Sequence, residues 1–178
     1  MAIEERFTDE ELLVIHGLPS LIGAAVAYSS DNGPIGTAKE MMATAKAVVR
    51  GRNRFDDNEL VSSVLPVIED RDDAIAEGKS VREALMARLE EKGVNSREAM
   101  ADQAVADSTM VSEMLAVKAT PEEAAGYREW AIDVAVASAK AAREGGFLGV
   151  GGERIGEGEK ETIARIAAAL GVDAPDLG

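Results

Sequence analysis

The stretch TDEELLVIHGLPSLIGAAVAYSSDNGPIGTAKE, residues 8–40, decides the fold of this chain. From Leu12 to Ser30 it runs for 19 residues without a charge, and a run that apolar has to be buried. By length alone it would reach across a membrane. His16, Gly17, Pro19, Ser20, Gly23, Ser29 and Ser30 dilute it, however, and no second run of the kind follows. It therefore reads as the core helix of a bundle, not as a span. Gly23 and Ala27 stand four apart, so a neighbouring helix can approach closely there. Pro19 has no N–H to give the preceding turn and is expected to bend the helix.

Helix starts supply the next signal. A Ser, Thr, Asn or Asp with Glu three residues on caps a helix reciprocally, each side chain satisfying a backbone N–H of the other's residue. The pattern occurs at Thr8/Glu11, Thr37/Glu40, Asp56/Glu59, Ser80/Glu83, Asn95/Glu98 and Thr120/Glu123, with Gly156/Glu159 as a form lacking the first side-chain oxygen. Pro121 follows Thr120 at the helical position that needs no N–H. Gly51, Gly78, Gly93, Gly145 and Gly171 stand where left-handed helix ends are wanted. These marks predict helices over about 9–30, 38–50, 57–77, 81–92, 96–118, 121–144 and 157–170. Apolar spacing agrees in the fifth (Met100, Ala104, Val111, Leu115) and sixth (Tyr127, Trp130, Val134, Ala137). Pro66 should bend the third. No strand-like alternation interrupts the series. The predicted fold is all-α, a compact bundle of about seven helices in a single domain over 1–178, with helix pairs at 8–50 and 120–171 around central helices at 56–118.

The two helix pairs resemble each other. Each has a Thr-capped helix rich in small residues, a glycine-bearing loop, and a second helix with Glu three residues past its cap. A degenerate internal duplication is the expected origin.

Composition narrows the function classes. The chain has 178 residues, 46% of them hydrophobic, enough for one sizeable core. Its net charge of -14 repels phosphate backbones and anionic bilayers, which argues against nucleic-acid binding. There is no cysteine, so disulfides, thiolate metal sites and thiol nucleophiles are excluded. With His16 the only histidine, mechanisms that need two imidazoles are excluded too. The start MAIEERFTDEE lacks the apolar segment of a secretory signal, and a cytoplasmic protein is expected.

Candidate sites are few. The segment Gly145–Gly158 carries seven glycines before a helix start, where free N–H groups favour anions. Gly149, Gly151, Gly152, Glu153 and Arg154 are its candidate ligand-binding residues. Arg154 stands where a dinucleotide fingerprint needs glycine, and no Gly-Lys-Ser/Thr is present for a P-loop. With Phe147, Leu148, Val150 and Ile155 interleaved, the segment reads as a loop folded back onto the core in preference to a ligand site. Arg50, Arg52 and Arg54 form a basic cluster able to hold an anion, or to complement a helix C-terminus. Glu69, Asp70, Asp72 and Asp73 lack EF-hand spacing and fit a charged helix face. His16, inside the most apolar helix, reads as a satisfied core histidine.

Asp31, Gly33, Ile35, Thr37 and Glu40 fit the pattern Asp, Gly, aliphatic, Thr or Ser, Glu of a helix-flanked loop that resembles TerB-like tellurite-resistance domains. Asn32 is an insertion in it, and Gly152, Ile155 and Glu159 repeat it without the Asp. The resemblance implies a compact helical fold, a link to stress responses and a metal site of acidic residues, here Asp31 and Glu40. The ending Gly145 to Ile155 is similar to the C-terminal part of a group of uncharacterised prokaryotic helical proteins. No cofactor is expected. The functional expectation is a non-enzymatic module acting through a protein partner or self-association. The alternative is a stress-related protein that binds a metal or small ligand.

Overall fold

The computed structural model describes residues 2–29, 33–64, 71–143 and 155–177. They form eight helices and no strand: α1 (Ile3–Arg6), α2 (Asp9–Ser29), α3 (Gly33–Arg54), α4 (Glu59–Val64), α5 (Arg71–Glu91), α6 (Arg97–Lys118), α7 (Pro121–Arg143) and α8 (Glu157–Leu170). The chain is an all-α bundle.

Its axis is α2, the helix read from the opening stretch. Ile15, Leu18, Ile22, Ala25 and Val26 on it are buried, and α3, α6, α7 and α8 all pack against it. Among the described residues this is the one helix long and apolar enough to cross a membrane, and most of its apolar length faces protein. The helix continues through Pro19, itself buried. On α7, Tyr127 and Trp130 are fully buried edge to face, their rings 5.7 Å apart. The Tyr127 hydroxyl donates to the Ile15 carbonyl at 2.5 Å, tying α7 to α2 through the middle of the core. Burial raises the Tyr127 phenol well above its ordinary range, so it stays a donor.

The capping pattern holds at Thr8 and Thr120. Thr8 N–H donates to Glu11 at 2.8 Å and Glu11 N–H to Thr8 Oγ1 at 3.3 Å. Thr120 and Glu123 repeat this at 2.8 and 3.2 Å. Gly156 N–H donates to Glu159 Oε2 at 2.7 Å. Two caps shift to a neighbour: Asn58 Oδ1 takes the Val61 N–H at 3.0 Å in place of Asp56, and Ser96 Oγ takes the Ala99 N–H at 3.0 Å in place of Asn95. Gly93 and Gly171 end their helices with φ of 69° and 73°.

Three boundaries are corrected. The helix expected at 38–50 begins at Gly33, where Pro34 suits a first turn, so Thr37 lies inside α3 and not at its cap. It also continues past Gly51 to Arg54. Gly51 is there because an ideal Cβ would stand 1.8 Å from Trp130 Nε1, so a bare backbone is what lets the indole in. The break expected between 77 and 81 is absent: α5 runs through Gly78 and Ser80, and Glu83 pairs with Lys79 at 3.7 Å. Mid-helix glycine costs only about 1 kcal/mol, which neighbouring turns absorb. Pro66 and Gly145 lie outside the described residues.

Candidate functional site: a buried glutamate pair

The two helix pairs meet in a reciprocal arrangement at their starting end. Arg6 stands two residues before the Thr8 cap and binds Glu123, the capping glutamate of α7, through two 2.7 Å contacts. Lys118 stands two residues before the Thr120 cap and binds Glu11, the capping glutamate of α2, at 2.6 Å. The Arg6 guanidinium holds the Glu123 carboxyl below its usual range, and Lys118 does the same to Glu11. These four charges are consumed by each other, and their role is to lock the helix starts.

At the other end the equivalent glutamates are Glu40 and Glu159. Glu40, on the inner face of α3, is fully buried, and Glu159, in the first turn of α8, is 2% exposed. Burial raises the Glu159 carboxyl above its ordinary range, and the charge of Glu40 pushes it further up, while the Gly156 N–H opposes both. Glu159 Oε2 is used by that cap, but Oε1 is buried with no hydrogen-bond partner. A lone carboxylate oxygen kept from water is costly enough to need a reason.

Helix packing builds this place. The Ser29 hydroxyl, at the end of α2, bonds Thr162 Oγ1 on α8 at 2.8 Å and donates to the Ala25 carbonyl at 2.7 Å. Thr162 lies one turn beyond Glu159. A side chain at Gly158 would stand 2.8 Å from the Ser29 carbonyl, so the glycine sets how closely α8 meets α2. One turn beyond Glu40, Thr44 fills the notch left by Gly23, and Ser138 of α7 donates to the Gly23 carbonyl at 3.0 Å. The end of the bundle thus holds two buried carboxylates that feel each other's charge, with the Ser29–Thr162 hydroxyl pair tying α2 to α8 one turn beyond Glu159.

Of the residues predicted for sites, Glu40 is placed in this arrangement. Asp31, Gly149, Gly151, Gly152, Glu153 and Arg154 lie outside the described residues, as do Glu69 and Asp70. Of the basic cluster, Arg50 is exposed, whereas Arg54 is engaged by Glu129 and Asp133 of α7. The Arg52 side chain is outside the described residues. His16 is half-buried, its Nε2 3.4 Å from the Ser63 hydroxyl. Two features escaped the sequence. One is the Glu159 burial, whose signal was the repeat of Glu40 in the second helix pair. The other is Asp107, buried in α6 and held by Arg88 through two 2.7 Å contacts and by Gln103 at 2.8 Å. That acid is fully satisfied and structural.

A groove of about 820 Å³ opens beside Met86, Leu89, Val94 and Met100, rimmed by Arg82, Glu83 and Glu90. It belongs to the α5–α6 turn, and among the described residues none of the buried polar side chains lines it. Among the described residues no three His, Asp or Glu side chains form a complete metal set. Comparison with protein-family models, curated proteins and solved structures finds no match.

Proposed function

We propose that the chain is a non-enzymatic helical binding module whose site is the Glu40/Glu159 pair and whose ligand is a hard divalent cation. The observation that carries this reading is the unpartnered, buried Oε1 of Glu159 beside a second buried carboxylate. Two like charges kept from water repel each other, and a cation removes both the repulsion and the missing contact. Glu40 and Glu159 would supply the charge, with the Ser29 and Thr162 hydroxyls near by on the adjoining helix faces. A pair of carboxylates completed by water is the habit of magnesium and manganese more than of calcium, which takes more protein oxygens. The acidic metal site implied by the resemblance to TerB-like domains has the same donor chemistry, and Glu40 is common to both.

Isothermal titration of the intact chain with Mg²⁺, Mn²⁺ and Ca²⁺ tests the reading. One equivalent should bind, with Glu159→Gln abolishing it and Glu40→Gln weakening it. Absence of binding in a folded wild-type protein, or unchanged binding in Glu159→Gln, sinks it.

The second reading is an interaction module, and what favours it is the exposed apolar stripe on α3, distant in character from the buried pair.

A further inference from the structure

The outer face of α3 differs from the rest of the molecule. Ala38, Met42, Ala45 and Val49 are all exposed and fall at i, i+4, i+7 and i+11, one straight stripe on a helix, with Met41 beside it. Met42 is 61% exposed and Val49 59%. Lys39, Lys46 and Arg50, also exposed and spaced i, i+7, i+11, run parallel along one edge of the stripe. The helix has five cations and one acid, Glu40, and that acid is buried on the opposite face. Outside α3 the chain has 14 basic residues against 32 acidic ones. A helix whose exposed charges are all positive is therefore set in a strongly acidic protein.

We propose that this face docks an acidic amphipathic helix of a partner protein. The partner's apolar stripe would lie along Met42, Ala45 and Val49, and its Glu or Asp residues would meet Lys39, Lys46 and Arg50. Unbranched methionines adapt to differing apolar shapes, which suits a surface that receives a helix. Charge selects this occupant over two others. A second copy laid α3 against α3 leaves both cation rows without an acid to meet, since the one acid of α3 is buried, and an extended anionic bilayer, unlike a single narrow helix seated on α3, also meets the acid that covers the rest of the chain. The inference does not depend on the glutamate pair, which lies on the inner face.

Fluorescence anisotropy on the full chain tests it, using a panel of labelled amphipathic helical peptides that share apolar positions and carry either glutamate or lysine on their flanks. The glutamate peptides should bind, with affinity falling as salt is raised. Lys46→Glu should weaken them about tenfold, the effect of reversing one contact charge, and Met42→Glu should do so at least as strongly. Both positions are exposed, and unchanged helicity by circular dichroism shows that the variants fold. Four results overturn the proposal: no glutamate peptide binds; the lysine peptides bind equally well; sedimentation shows a dimer that Met42→Glu dissociates; or the protein binds phosphatidylserine vesicles in place of the peptides.

Discussion

Arg6 and Glu123 are joined by two parallel 2.7 Å contacts across the start of the bundle, with side chains only 10% and 11% exposed. Glu123 serves twice, since the same carboxylate closes the cap of α7. Arg6→Ala leaves that carboxylate buried beside a helix start without its counter-charge, and should cost roughly 3 kcal/mol. Urea denaturation checks this, and a loss below about 1 kcal/mol would place the pair among ordinary surface bridges. Glu123→Ala should cost more than Arg6→Ala, because the cap, worth about 1 kcal/mol, goes too.

The same glutamates give the fold an acid limb. Hydrogen bonds from Arg6 hold Glu123, and from Lys118 hold Glu11, below the ordinary carboxylate range. In the unfolded chain a glutamate titrates near about 4.3. With the folded value the lower of the two, their contribution is complete above that pH and is lost as pH falls through the folded value. Urea midpoints followed from about pH 6 to about pH 3 should drop more steeply for wild type than for Arg6→Ala/Lys118→Ala. Parallel curves would contradict the assignment.

Glu159→Gln should stabilise the metal-free protein. The substitution keeps an acceptor for the Gly156 N–H and removes a buried charge that faces Glu40. Relief of such a group is worth on the order of 1 kcal/mol, or about 2–4 °C in Tm for a chain of this size. A thermal melt in chelator measures it. A lower Tm would mean that the carboxylate is structural and not held in readiness for a ligand.

Gly51→Ala should be among the more damaging small substitutions. The added methyl would coincide with the fully buried Trp130 indole at 1.8 Å. Overpacking of this kind costs roughly 1–3 kcal/mol, and the displaced indole should show a red-shifted emission. Unchanged tryptophan fluorescence and stability would show that α3 can move away from α7.

Arg88→Ala should loosen α5 while leaving the rest of the bundle folded. Among the described residues, this helix is held by the Arg88–Asp107 pair, by Leu85 seated against Gly17 of α2 and by Leu89 packed on the core. Hydrogen exchange should accelerate in α5 first, and Asp107 would be left buried with Gln103 alone. Uniform acceleration through all helices would argue that α5 unfolds only with the whole.

By itself the sequence determined the helical class, the burial of most of the apolar run that forms α2 and the caps at Thr8, Thr120 and Gly156. Each of these rests on contacts between residues three or four apart or on the apolarity of a continuous run, and both are visible along the chain. Its errors came where a local signal was overridden, at Gly51 by a distant neighbour and at Ser80 by the continuing turns of its own helix. Gly51 looked like a stop and is the space Trp130 needs; Ser80/Glu83 looked like a start and lies inside α5. Only the tertiary structure decided that Arg6 meets Glu123, that Lys118 meets Glu11, and that Glu40 and Glu159 share one buried end. Caps are written in the spacing of one helix, whereas burial of a charge depends on which helices pack over it, and that is settled by the core as a whole.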